Sequence, residues 1–250
     1  MIRLILAAIF LILYFIITLP VWIVLWIIGK FKPRARQRAS QFCVRNGFKV
    51  LMFIMGVRMK VKGLEKVPRD VPVLYVSNHQ SIIEAMIGYA LAVGPMGFVA
   101  KAELKKAPFL KQWMDSVHCL FIDRHDMRQS LKVILAAIEE IKSGTSIWIC
   151  PEGTRNKDPE NNLLLEFKNG SFKIADRTGC PVVPVAIDGT WACFERQMPR
   201  CKKSRVTVTF GDPFVMKDLE KDDRKAIGEY TACIIGAMIE ADRAERKENT

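Results

Sequence analysis

The stretch VLYVSNHQSIIEAMIGYAL, residues 73–91, decides the fold. It opens on β-favouring residues, passes through the polar turn SNHQS, and continues with apolar residues at helical spacing. It therefore reads as a strand over 73–77 that feeds a helix over 82–91. The same alternation recurs downstream. Strands are predicted over 97–101, 119–123, 146–150, 182–187 and 205–210, with helices over 104–114, 127–142 and 170–177 between them. A last helix over 222–246 closes the chain. Strands alternating with helices of this length predict an α/β fold with a mostly parallel central sheet flanked by helices. At 250 residues the chain holds one such domain and one appended element.

The appended element is N-terminal. Residues 4–28 form 25 positions without a charge, interrupted only by Pro20, and about 20 apolar residues cross a hydrocarbon core. A cleaved signal peptide would have an apolar region of about 7–15 residues with a small-residue cleavage site behind it. Here the run is longer, and Lys30, Lys32, Arg34, Arg36 and Arg38 follow it. The expectation is a hydrophobic helical membrane anchor, with everything after Lys30 on the cytoplasmic side of the cell membrane. Pro20 leaves open a kinked segment that enters the bilayer without crossing it. Residues 40–57 allow a second helix, either interfacial or packed on the folded domain. The expected division is 1–58 for the anchoring helices and their basic flank, and 59–250 for the folded domain.

The formal net charge of +12 comes entirely from the N-terminal part: residues 1–69 carry 13 Lys and Arg against Glu65 alone. Placed beside the apolar run, this excess points to anionic lipid headgroups as partners and away from nucleic acid. Seven cysteines without a Cys-x-x-Cys pair read as reduced, mostly buried thiols.

The polar residues that end the predicted strands carry the chemistry. His79 follows the first strand, with Glu84 five residues on. A neutral imidazole at a strand end takes a proton from a hydroxyl, and a carboxylate on its other nitrogen stabilises the imidazolium. Ser81-x-x-Glu84 also spells a capping box, and on spacing alone the cap is the commoner reading. The two readings are compatible only if the chain breaks between the residues, because five positions of continuous helix separate side chains by about 140°. Lys101 and Arg124 stand at two further strand ends, and Pro151-Glu152-Gly153-Thr154-Arg155 follows a fourth. Gly153 permits close backbone approach, while Thr154, Arg155, Arg124 and Lys101 offer donors to phosphate. Each alone reads as an ordinary turn or solvated side chain; together they describe one pocket that holds a phosphate and abstracts a proton. Cys150, beside Pro151 with no nearby base in sequence, reads as packing rather than as a nucleophile. His118 and His125 lack a third ligand for a metal site.

Four blocks in order carry a resemblance: SNHQSIIE at 77–84; FVAKAEL at 98–104 with LFIDR at 120–124; PEGTR at 151–155 with FKNGSF at 167–172; and VVPVAIDG at 182–189. From about residue 60 to 214 the chain resembles the glycerophospholipid acyltransferases, and among them the bacterial-type 1-acylglycerol-3-phosphate acyltransferases. The resemblance implies that His79 is the general base, supported by Glu84. It also implies that Asn78, Lys101, Arg124, Glu152, Gly153, Thr154 and Arg155 bind the phosphorylated acceptor. The implied reaction moves an acyl group directly from acyl-CoA or acyl-carrier protein to the sn-2 hydroxyl of lysophosphatidic acid, giving phosphatidic acid for phospholipid biosynthesis, with no bound cofactor. Two departures stand out: Glu84 occupies a position where the family has Asp, and Val117-His118-Cys119 replaces residues that are often glycines. Other acceptors, such as another lysophospholipid or glycerol-3-phosphate, remain open. So do two non-catalytic readings, a lipid-binding membrane protein and an electrostatic membrane tether.

Overall fold

A computed structural model describes residues 1–124 and 126–248 of the chain. Its centre is a seven-stranded sheet in the order β1-β7-β6-β2-β5-β3-β4. The strands are β1 (Val57–Lys62), β2 (Leu74–Ser77), β3 (Met96–Lys101), β4 (Leu120–Ile122), β5 (Ser146–Ile149), β6 (Val182–Asp188) and β7 (Ser204–Phe210). All pairings are parallel except β6 with β7. The helices are α1 (Ile2–Gly29), α2 (Pro33–Met55), α3 (Ile83–Leu91), α4 (Leu110–Ser116), α5 (Met127–Lys142), α6 (Lys173–Thr178), α7 (Thr190–Cys193), α8 (Lys221–Lys225) and α9 (Ile227–Glu248).

Strand alternation builds two apolar layers. Tyr75, Trp148, Val183, Val185 and Ile187 pack on one face with residues of α2 and α3. Leu74, Val76, Ile147, Ile149 and Val182 pack on the other with α5, α6 and α9. Covering both faces is why these strands read as nearly continuous apolar runs. Trp148 anchors the first layer: it stacks on Tyr75 at 4.9 Å between centroids and donates its indole N–H to Ser77 Oγ at 2.8 Å.

The mostly parallel sheet flanked by helices is the expected fold, and the differences have local causes. The strand β1, VRMKVK, alternates apolar and basic residues at the edge of the sheet, and the expected division after residue 58 falls inside it. The helix expected over 104–114 begins only at Leu110, because Pro108 lacks the amide hydrogen a continuous helix needs there. The terminal helix expected over 222–246 is divided between α8 and α9.

The helix α1 is long and apolar enough to cross a membrane, and among its residues only Ala7, Thr18 and Leu25 are buried. It forms a hairpin with α2. A Cβ at Gly47 would meet Tyr14 Cζ at 2.7 Å, so glycine is what lets the two helices close. The second helix packs on the folded domain and also lies along α1. Its polar residues make a seam: Gln41 Nε2 donates to Gly94 O at 2.7 Å, Gln41 Oε1 accepts from Met96 N at 2.9 Å, and Gln37 Nε2 donates to Thr145 Oγ1 at 3.0 Å. Its outer side leaves Phe42 and Phe53 exposed.

Replacing Gln41 by Ala strands a buried N–H and a carbonyl, each worth roughly 1–3 kcal/mol when unsatisfied. Denaturant unfolding of the detergent-solubilised chain, followed by tryptophan fluorescence, is expected to show Gln41→Ala destabilised by about that amount; an unchanged midpoint would show that the seam contributes nothing.

Candidate active site

The strands β2, β5, β3 and β4 lie side by side and point the same way, so the polar residues after each converge on one edge. His79 follows β2. Its Nδ1 lies 2.6 Å from Glu84 Oε2, and its side chain is partly exposed whereas that of Glu84 is not exposed at all. The break that this contact requires is present, since α3 begins only at Ile83. Glu84 also accepts the backbone N–H of Gln80 at 2.9 Å, the N–H of Ser81 at 2.8 Å and the hydroxyl of Thr190 at 2.8 Å. Ser81 Oγ in turn accepts the N–H of Ile83 at 3.1 Å. Helix cap and imidazole partner are thus the same carboxylate. With Nδ1 held by Glu84, the histidine has Nε2 left for a substrate hydroxyl.

Glu152 holds His79 from behind. Its Oε1 accepts the N–H of His79 at 2.7 Å and its Oε2 the N–H of Leu165 at 3.2 Å. Burial outweighs these donors and pushes its pKa up to about 8. Its oxygens are thus engaged with backbone, and it positions the chain around His79. Asn78 is likewise engaged with backbone. Its amide donates to Ile187 O at 2.8 Å and accepts from Ile187 N at 2.9 Å, which ties the end of β2 to β6.

Gly153 has φ +69°, a conformation glycine adopts without strain, and turns the loop after β5. Thr154 and Arg155, next in that loop, are exposed. Arg155 Nη1 donates to Glu195 Oε1 at 3.0 Å, and the same oxygen accepts the N–H of Ile82 at 2.9 Å. Arg124 is half-buried. Burial lowers its pKa, and the nearby charge of Arg155 acts in the same direction. Two cations held within electrostatic range of each other form a place for an anion. Lys101 is exposed and paired with Glu103 at 2.7 Å. Cys150 lies beneath the site, its thiol pushed far up by burial and by the Glu84 charge, and is no nucleophile.

A family model described as acyltransferase matches residues 58–188, more than half of the chain. The chain belongs to the acyltransferase family. One curated relative, the 1-acyl-sn-glycerol-3-phosphate acyltransferase of Borreliella burgdorferi, is 29% identical over 61% of this chain and 60% of its own length. The enzyme of the same description from Saccharomyces cerevisiae is 28% identical over 81% of this chain and 65% of its own length. In both cases the match spans less than two thirds of the relative. The crystal structure of the 1-acyl-sn-glycerophosphate acyltransferase from Thermotoga maritima superposes with a TM-score of 0.71 at 25% identity, covering 97% of this chain and 98% of that one.

Within this acyltransferase fold, several site residues escape sequence reading. Thr190 follows the VVPVAIDG block directly and donates to Glu84, so adjacency was its only signal. Glu195 and Asn156 had none. Asn156 N donates to His79 O at 2.7 Å, strapping the loop after β5 onto the base. Among the described residues no group of three or more His, Cys, Asp or Glu could hold a metal ion. His118 is instead paired with Glu140 at 2.8 Å, and His125 lies outside the described residues.

Two outcomes follow from this geometry. The family's usual residue at position 84 is one methylene shorter, yet here Glu84 already reaches four partners, and about 1 Å of misplacement at such a site costs roughly 10²-fold. Steady-state kinetics are therefore expected to show Glu84→Asp with a kcat about 10²-fold below the native chain; equal activity would mean the base tolerates the shorter arm.

The second outcome concerns pH. Unfolded, Glu152 loses its proton near the ordinary value of about 4.3, whereas folded it keeps it to about pH 8. Between these values the unfolded state releases the proton first, so stability falls as pH rises and levels off above about 8. Denaturant unfolding across this window is expected to show that slope for the native chain and its loss in Glu152→Gln.

Proposed function

We propose that the chain transfers a fatty acyl group from the thioester of acyl-CoA or acyl-carrier protein to the sn-2 hydroxyl of lysophosphatidic acid, giving phosphatidic acid. The observation that carries this reading is the contact of His79 with the buried Glu84 at the end of β2, beside the Arg124 and Arg155 cations. The phosphate of the acceptor sits against Arg124 and Arg155, with Lys101 and Thr154 at the rim. His79 Nε2 takes the proton of the hydroxyl as its oxygen attacks the thioester carbonyl. A tetrahedral intermediate forms, the C–S bond breaks, and the imidazolium returns the proton to the departing thiolate. Glu84 stabilises the imidazolium while it exists. The names and the shared architecture of the relatives support the same acceptor.

The N-terminal part, 1–58, serves in this reading as the membrane anchor, and 59–250 as the catalytic domain on the cytoplasmic side. Because α1 lies along α2, and α2 along the domain, the hairpin enters the interface as a unit with the catalytic domain. Trp22 Nε1 donates to Ser116 Oγ at 3.1 Å and Arg36 Nη2 to the same oxygen at 2.9 Å, joining α1 and α2 to α4. The basic run from Lys30 to Arg38 adds attraction to anionic headgroups, worth about 1 kcal/mol per cation near the surface.

The test is acyl transfer from labelled acyl-CoA and acyl-carrier protein to lysophosphatidic acid by membranes holding the chain. His79→Ala is expected to lose at least about 10²–10⁴-fold in rate while circular dichroism stays native. Arg124→Gln is expected to raise the KM for lysophosphatidic acid about tenfold, the equivalent of one charged hydrogen bond, and Arg155→Ala by less, since Arg155 is shared with Glu195. No phosphatidic acid from either donor would overturn the reading.

A further inference from the structure

The side chain of Arg155 is half-exposed. A long guanidinium side chain at such a place turns freely unless it is held, and must be ordered before it can grip a phosphate. The group that holds it comes from another part of the fold. Glu195 stands in the short turn after α7, and its side chain is only 12% exposed. Its Oε1 accepts from Arg155 Nη1 at 3.0 Å and from the N–H of Ile82 at 2.9 Å, so both donors meet on one oxygen. Ile82 is the residue from which α3 starts, directly after the turn that carries His79. The backbone of the Arg155 loop is fixed to the same turn, since Asn156 N donates to His79 O at 2.7 Å. Arg155 is thus placed relative to the base twice, through its backbone by Asn156 and through its guanidinium by Glu195.

The pairing is not the one that stability alone favours. Glu195 Oε2 is buried without a hydrogen-bond partner, so the carboxylate engages the guanidinium through a single oxygen. An ion pair that serves only the fold gains most from two parallel bonds. A hold on one nitrogen leaves the rest of the donor fork to point elsewhere, and Arg124 stands close enough to feel the charge of Arg155. Two effects of Glu195 on a bound phosphate oppose each other. Its charge offsets part of that of Arg155, which weakens the attraction, while its grip removes rotational freedom from the side chain, which strengthens binding. At a half-exposed site solvent screens the first effect, whereas ordering an arginine is among the largest side-chain entropy costs. The second effect wins. Resting on the acyl-transfer reading, we propose that Glu195 is a positioning residue for the acceptor: by orienting Arg155 over the turn of His79, it sets where the phosphate sits relative to the base.

The test uses the detergent-solubilised full chain and two probes: lysophosphatidic acid, and 1-monoacylglycerol, which keeps the acyl chain and the sn-2 hydroxyl but has no phosphate. Affinities come from titration calorimetry, beside steady-state acyl-transfer kinetics. Glu195→Gln keeps an acceptor for the Ile82 amide and removes the charge that holds Arg155. It is expected to weaken lysophosphatidic acid binding and raise its KM about fivefold. Monoacylglycerol affinity and kcat are expected to stay within about twofold, with a native circular dichroism spectrum. In an Arg155→Ala background, Glu195→Gln is expected to change lysophosphatidic acid binding by less than about twofold, because its effect runs through Arg155. Arg155→Lys keeps the charge but loses the fork, and is expected to weaken binding about as much as Glu195→Gln while leaving Glu195 in place. Unchanged or tighter lysophosphatidic acid binding in Glu195→Gln, or native affinity in Arg155→Lys, overturns the proposal. Equal losses with and without Arg155, or an equal loss for monoacylglycerol, overturn it in favour of a structural role. Any of these results leaves the transfer reading standing if the native chain makes phosphatidic acid. If the native chain makes none yet binds lysophosphatidic acid through Glu195 and Arg155, the positioning role stands and the transfer reading falls.

Discussion

The buried carboxylate of Glu84 is the constraint on which the rest of the site depends. A carboxylate with no exposed side-chain surface is costly unless its oxygens are fully engaged. Here the donors come from three directions: the His79 ring, the amides of Gln80 and Ser81, and the Thr190 hydroxyl that opens α7. Satisfying them locks the end of β2, the start of α3 and the segment after β6 into one arrangement. The imidazole orientation is therefore set by the fold itself, before any substrate binds, and that preorganisation is what a proton-transfer site requires.

How much of this was legible in the sequence depends on the length scale of the signal. Strand ends and their polar residues were readable because burial on both faces writes each strand as an apolar run that stops abruptly. The pairing of His79 with Glu84 was readable as a conditional: it needed a helix start between them, and the start at Ile83 supplies it. What escaped were contacts made across the fold. The amide of Asn78, for example, pairs with the Ile187 backbone, a partner 109 residues away. Glu152 shared a block with Arg155 and was grouped with it, although a carboxylate and a guanidinium serve opposite ends of the problem.

The polar seam of α2 explains why the anchor and the domain form one unit. Gln41 takes the place of a strand neighbour at the start of β3, meeting Met96 N and Gly94 O, and Gln37 does similar work before β5. A helix designed only to lie in lipid would carry apolar residues on its buried side and cations on the other. In α2 the buried side mixes Gln37 and Gln41 with Leu51, Met52 and Met55, while Phe42 and Phe53 stand outward among the exposed cations Arg34, Arg38 and Lys49.

The hairpin also links the apolar start of α1 to the catalytic edge. Arg3, in the first turn of α1, donates to Ile54 O at the end of α2. Cys201, buried nearby with its Sγ on Met55 O at 3.3 Å, lies within electrostatic range of Arg3, of the N-terminus and of Glu195. Glu195 in turn holds Arg155 and the start of α3. The exposed residues Ile2, Ile5 and Ile9 lie in the same opening turns of α1 as Arg3. An amphiphilic acceptor gains roughly 0.8 kcal/mol for each methylene it keeps in lipid, so full extraction into water is expensive. In the acyl-transfer reading proposed above, this chain of contacts would let the headgroup reach Arg124 and His79 while most of the acyl chain stays in the bilayer.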